Sequence, residues 1–161
     1  MEFGARLGWR VEVVDDRRAF LTVERFPQAL RLVHAQPADA AEAIGADALA
    51  HVVVMSHNFL RDAAYLRSFL ARPVAYLGLL GPAARLERLL EALADEGVTP
   101  TAGDLTHVHG PAGLDVGAEG PEEIAWAIVA EILAVQRKAP AGFLWARGGP
   151  IHARTVMRRV G

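Results

Sequence analysis

Gly78 and Gly81 punctuate the end of an apolar run, VAYLGLLGP, that passes into a helical segment, AARLERLLEAL. A strand that turns through glycine into a helix can hold an anion. Glycine lets the backbone turn tightly and approach a ligand, Pro82 suits a first helical position, and the free N–H groups of a helix start carry partial positive charge. A phosphate-bearing ligand is the chemistry such a junction would serve, although two glycines alone more often mark an ordinary strand-to-helix turn of a parallel α/β domain.

Other candidates stand at the ends of apolar runs. Asp15 closes WRVEVVD, and a carboxylate at a strand end can hydrogen-bond a ribose hydroxyl in dinucleotide-binding folds. His57 and Asn58 follow HVVVMS directly, at the carboxyl edge where open α/β sheets bind ligands; the alternative for Asn58 is to cap the next helix. Asp115, the stronger candidate, and Glu119 lie in a loop whose Gly110, Gly113 and Gly117 permit close backbone approach. His107 and His109 would share one face of an extended segment and could meet a metal, but no third ligand is fixed nearby, so they read as loop histidines and no metal site is expected. Glu131, on the apolar stripe of a long helix, reads as buried and paired with an arginine. Asp62 reads as supporting the loop after His57 or pairing with an arginine. The serines, Ser56 and Ser68, lie outside any G-x-S-x-G setting, and no acid pair has a spacing suited to general acid and base work. Binding is favoured over catalysis.

The elements that must position these residues alternate. Residues 9–15, 30–35, 51–56 and 74–80 read as short strands, and residues 39–44, 60–70, 82–96 and 121–137 as helices. Such alternation predicts an α/β fold, a Rossmann-like parallel sheet with flanking helices. Residues 99–120 are loop-rich, with one short strand expected at 114–117. Residues 1–138 read as the domain and 139–161 as a basic tail containing glycine and proline. Only eight residues stand ahead of Trp9, the first seven reading as a helix, so the first strand and glycine-rich loop of a Rossmann unit are missing. That gap would leave two strand edges open mid-sheet. A strand from a second copy, in a homodimer, or the tail around residues 143–145 would close it.

Composition narrows the partners. The chain has 161 residues, 52% of them hydrophobic, enough for a sizeable single core. Its formal net charge of −2 gives no reason to expect nucleic acid or an anionic membrane. The absence of cysteine excludes disulfides, thiolate metal sites and a cysteine nucleophile. With neither a spanning apolar run nor a signal-peptide core, the chain reads as soluble and cytoplasmic.

HVVVMSHNFLRDAAYL, PVAYLGLLGPAARLERLLEAL and HGPAGLDVGAEGPEEIAWAIVAEILA, in this order, resemble the C-terminal Rossmann-like domain of the XdhC/CoxI family, over about residues 8–138. The resemblance implies an accessory protein for molybdenum hydroxylases of the xanthine dehydrogenase and carbon monoxide dehydrogenase type. Such a cofactor chaperone binds the molybdenum cofactor (molybdopterin) while it is sulfurated and delivers it to the apo molybdenum hydroxylase. The cofactor-binding residues expected on this basis are Asp15, His57, Asn58, Gly78, Gly81, Gly113, Asp115 and Gly117. The chain departs from the family in lacking its N-terminal domain and glycine-rich first turn, and in carrying Pro82 where many relatives have serine. A separate N-terminal-type XdhC protein is therefore an expected partner. Two alternatives remain: an NAD(P)-binding oxidoreductase fragment using Asp15 and the Gly78–Gly81 turn, and an interaction module with a vestigial Rossmann frame that docks a partner through residues 147–159.

Overall fold

Each apolar run forms a strand shorter than itself, because only part of it finds ladder partners. The computed structural model describes residues 1–148. Its strands are β1 (Glu12–Asp15), β2 (Arg31–His34), β3 (His51–Val54), β4 (Tyr76–Leu79) and β5 (Val108–His109). The helices are α1 (Glu2–Arg6), α2 (Ala40–Ala43), α3 (Phe59–Leu70), α4 (Ala83–Asp95) and α5 (Pro121–Arg137). All ladders are parallel: Glu12 faces Arg31, His51 faces Tyr76, and Gly78 faces His109. This is the expected Rossmann-like α/β fold.

The fifth strand is not the one expected. Residues 114–117 form no strand, since Gly113 (φ +114°) and Gly117 (φ +71°) bend the backbone out of the extended region. The pairing goes instead to Val108–His109, whose segment begins with the Leu77 N–H donating to the His107 carbonyl at 2.8 Å.

The sheet is split where the sequence places a missing strand. The order is β2-β1 in one part and β3-β4-β5 in the other, with no ladder between β1 and β3. Both parts nevertheless border a shared interior, because Val14 packs with the larger apolar cluster and Trp9 with the smaller. Among the described residues, the segment around 143–145 does not close the gap. Leu144–Ala146 form one 3-10 turn, with Phe143 77% and Trp145 85% exposed.

Alternation along β4 sorts the core into two layers. Leu77 and Leu79 face α3 and α4, joining the buried Leu66, Phe69, Leu89 and Leu93. Tyr76 faces α5, against Ile128 and Ile132. Burying each such leucine contributes about 2 kcal/mol. On the outer side of α5, Trp126 meets Phe3 of α1 with ring centroids 4.6 Å apart.

Candidate functional site

The carboxyl ends of β3 and β4 are held together by one carboxylate. Asp62, in the first turn of α3, is 2% exposed, and both its oxygens are occupied. Oδ1 accepts the Ser56 N–H at 3.2 Å and its hydroxyl at 2.5 Å, while Oδ2 accepts Arg85 Nε at 3.0 Å and Nη2 at 2.5 Å. The loop after β3 and the starts of α3 and α4 therefore share a single anchor. Both expectations for Asp62, loop support and an arginine partner, hold.

The residues between Ser56 and Asp62 divide by role. Asn58 caps α3, its side-chain oxygen accepting the Arg61 N–H at 3.0 Å, which satisfies one of the unpaired donors of the helix start. His57 is exposed and left-handed (φ +56°), an uncommon conformation for a residue with a side chain. Met55 and Leu60 beside it are also exposed.

The two glycines of the next junction have packing reasons of their own. Gly78 lies inside β4 rather than in the turn, and a Cβ there would fall 2.6 Å from the Tyr76 hydroxyl oxygen. Gly81 does sit in the turn, at φ +129°, with the Arg85 side chain where a Cβ would go. Pro82 is the cap residue (φ −67°, ψ 158°) rather than the first helical residue, so α4 begins at Ala83. Its first turn has neither a side-chain cap nor an acid, whereas α3 starts with Asn58 and Asp62, and α5 with Glu122 and Glu123. The start of α4 is the anion-receptive one of the three.

Glu131 joins β4, β5 and the glycine loop from the far side of the sheet. It takes no arginine. Its Oε2 accepts the Tyr76 hydroxyl at 2.5 Å and the Gly113 N–H at 2.7 Å, and its Oε1 lies 3.0 Å from His109 Nδ1. Burial, reinforced by Glu131, holds the Tyr76 hydroxyl well above its ordinary range. The His109 ring stacks on Tyr76 with centroids 4.5 Å apart. His109 is thus a strand residue with fixed partners, not a loop histidine.

Residues 1–132 match the family described as the XdhC Rossmann domain. The chain belongs to that family. It is 35% identical over 159 residues to the uncharacterised protein YqeB of Escherichia coli, covering 98% of this chain and 29% of that protein. Over 134 residues it is 35% identical to a probable xanthine dehydrogenase subunit from Bacillus subtilis, covering 83% of this chain and 38% of that one. The solved structure of a xanthine dehydrogenase from Bacillus halodurans superposes with a TM-score of 0.73 at 30% identity, covering 89% of this chain and 40% of that one. The chain therefore spans less than half the length of each of these relatives.

Within this XdhC Rossmann domain the expected site residues fall into three groups. His57, Asn58 and Gly81 gather at the ends of β3 and β4, and Gly78 lies behind them under Tyr76. Gly113 is tied to Glu131, while Asp115 is exposed farther along the same loop and Gly117 turns it at φ +71°. Asp15 ends β1 on the other part of the sheet, where Arg17 chelates it through the backbone N–H at 2.8 Å, Nε at 2.9 Å and Nη2 at 2.8 Å. Those hydrogen bonds hold the Asp15 carboxyl below its usual range. Asp16 pairs with Arg61 of α3 at 3.2 Å. Burial, with Asp15 and Asp16, pushes the Tyr65 hydroxyl up to about 12.

Among the described residues no three His, Asp or Glu side chains converge as metal ligands, around His107 and His109 or elsewhere. Nor, among those residues, is any helix long and apolar enough to cross a membrane. Nearly all of the arginine-containing segment 147–159 lies outside the described residues. Sequence reasoning missed the Tyr76–Glu131–His109 cluster. Its one local signal was a carboxylate in the middle of an apolar helical stripe.

Proposed function

We propose that this domain serves the maturation of a molybdenum hydroxylase of the xanthine dehydrogenase type, holding the molybdenum cofactor for sulfuration and transfer to the apoenzyme. The observation that carries this reading is the family match over residues 1–132, supported by relatives that bear the xanthine dehydrogenase name.

The residues present suit such a cargo. Molybdopterin combines a phosphate with a planar pterin. The start of α4, whose own first turn carries no acid and no side-chain cap, suits the phosphate. Exposed Met55 and Val116, on the loops that leave β3 and β5, and Leu60, in the first turn of α3, offer apolar surface. The cofactor supplies the molybdenum redox chemistry of the target enzyme; this chain binds it, orients it and screens it from water. His57, Asn58, Gly81, Gly113, Asp115 and Gly117 are the proposed contacts, with Gly78 and Asp15 supporting them from β4 and β1. An apo molybdenum hydroxylase is the proposed acceptor. The free edges of β1 and β3 suit a strand from a second copy, giving a homodimer, or from a separate N-terminal-type XdhC protein.

The direct test is co-purification of pterin, read as its fluorescent oxidation product, from the chain alone and from the chain mixed with an N-terminal-type XdhC protein. Pterin above background is expected in at least one preparation, and none in either would refute cofactor handling. NADH titration followed by fluorescence is expected to give no saturable change; a saturable one would favour the NAD(P)-binding alternative.

A further inference from the structure

We infer that His109 contacts ligand directly, its Nε2 accepting a hydrogen bond from a neutral N–H or O–H group, with Glu131 and Tyr76 as the residues that position it. Geometry assigns the tautomer. The Tyr76 hydroxyl and the Gly113 N–H both donate to Glu131 Oε2, leaving Oε1 to accept from His109 Nδ1 at 3.0 Å. With the proton on Nδ1, Nε2 of the neutral imidazole presents a lone pair. The ring cannot swing away, because it stacks on Tyr76, which is itself fully buried.

That lone pair is open. The His109 side chain keeps 25% of its surface exposed. Among the described residues its Nε2 has no hydrogen-bond partner, and it is not one of the buried unpartnered atoms, which include Nε2 of His51 and of His107. His109 is also the last residue of β5, at the carboxyl edge where open α/β sheets take ligands. Beyond it runs the loop through Gly110 and Gly113.

A structural purpose alone explains the cluster poorly. Glu131 sits mid-helix with 15% of its side chain exposed, and a well-packed apolar residue of similar size at such a site is often neutral or stabilising. The carboxylate is better explained by what it does to the imidazole, as in the carboxylate–histidine pairs that orient ring nitrogens elsewhere. The same carboxylate sets the ligand class. By fixing the proton of a neutral ring on Nδ1 it leaves Nε2 as an acceptor, which takes a donor edge, such as the ring N–H of a fused pyrimidinone, and not a phosphate or carboxylate oxygen. In that respect the inference rests on the proposed cofactor reading, since the pterin of molybdopterin carries such an edge while the phosphate of molybdopterin would go to the start of α4.

The test has arms that fail separately. In the full chain, nitrogen-15 NMR is expected to show His109 protonated at Nδ1, and Glu131→Gln to shift it towards the other tautomer while the fold persists. Diethyl pyrocarbonate is expected to modify His109, and added free pterin to slow that modification where inorganic phosphate does not. His109→Phe, which keeps the ring on Tyr76, is expected to weaken pterin binding about tenfold, the size of one lost hydrogen bond. A proton found on Nε2, an unreactive His109, or unchanged pterin binding by a folded His109→Phe protein would overturn the inference. Protection by free pterin in a protein that carries no molybdenum cofactor would sustain it while refuting the proposed function. A protein that carries the cofactor with His109 still fully reactive would do the reverse.

Discussion

The two parts of the split sheet are stabilised by different means. From Ala40 onward the domain is built on apolar burial: the fully buried Leu66, Tyr76, Leu77, Leu89 and Leu93 all lie there, and among the described residues Pro37 is the one buried apolar side chain that precedes Ala40. Residues 1–36 contribute only part-buried apolar contacts, through Trp9 and Val14, and add a set of charge contacts. Arg17 chelates Asp15, Arg61 reaches Asp16, Arg31 lies 3.4 Å from Glu12, and Phe20 sits between the guanidinium groups of Arg17 and Arg25 at 4.2 and 4.5 Å. The buried part carries the junctions proposed to hold ligand. The charged part carries β1 with a free edge, and so has most to gain from a partner strand.

The sharpest contrast is between two acid–arginine pairs. Asp62 is 3% exposed in its side chain and Asp15 21%. Removing one partner of a buried pair strands the other charge, so Asp62→Ala is expected to destabilise the domain by about 3–5 kcal/mol in denaturant unfolding. Asp15→Ala is expected to shift the same transition far less, because water already screens Arg17. Equal shifts would mean that the two parts are equally buried in solution.

A smaller effect is expected inside β4. Gly78→Ala brings a Cβ to 2.6–2.9 Å from three Tyr76 ring and hydroxyl atoms, and overpacking of this kind destabilises by about 1–3 kcal/mol. Calorimetry should show the loss without any ligand. A fully stable Gly78→Ala protein would show that the Tyr76 ring moves aside easily and that Glu131 does not hold it.

These contrasts follow what was and was not legible in the sequence. Asn58 as a cap, Asp62 with an arginine, four of the five strands and the open edges are written in local patterns: a helix-start residue, an acid one turn into a helix, and apolar runs. β5 is two residues long and leaves no periodicity to detect. The partners of Glu131 lie 22 and 55 positions away, at His109 and Tyr76, and no local spacing encodes a pair so distant. Gly78 looked like turn chemistry because glycine at a close side-chain approach and glycine at a bend are the same letter.

The split also predicts an ordering of local opening. Amide hydrogen exchange is expected to be faster in β1 and β2 than in β3 and β4, because ladders beside a free edge and a half-exposed layer open without disturbing the main core. A partner strand that pairs between β1 and β3 is expected to slow exchange in β1 and in the facing edge of β3 together. Protection of one without the other would place that partner elsewhere.

The smallest expected effect is in the acid range, and its sign is fixed by the Asp15 carboxyl, which the Arg17 hydrogen bonds hold below its ordinary value of 3.8. A group depressed on folding stabilises the native state above its unfolded pKa and loses that contribution as pH falls through its folded one. The stability advantage of the native chain over Asp15→Asn is therefore expected to be complete near neutrality and to fade only below about pH 4, as a melting series from pH 6 to pH 2 would record. Because Arg17 is partly exposed, salt should shrink the advantage near neutrality as well. An advantage that persists at pH 2 would show that Asp15 holds the end of β1 by shape rather than by charge, and the contrast between a charged and an apolar part of the domain would then fail at the residue chosen to represent it.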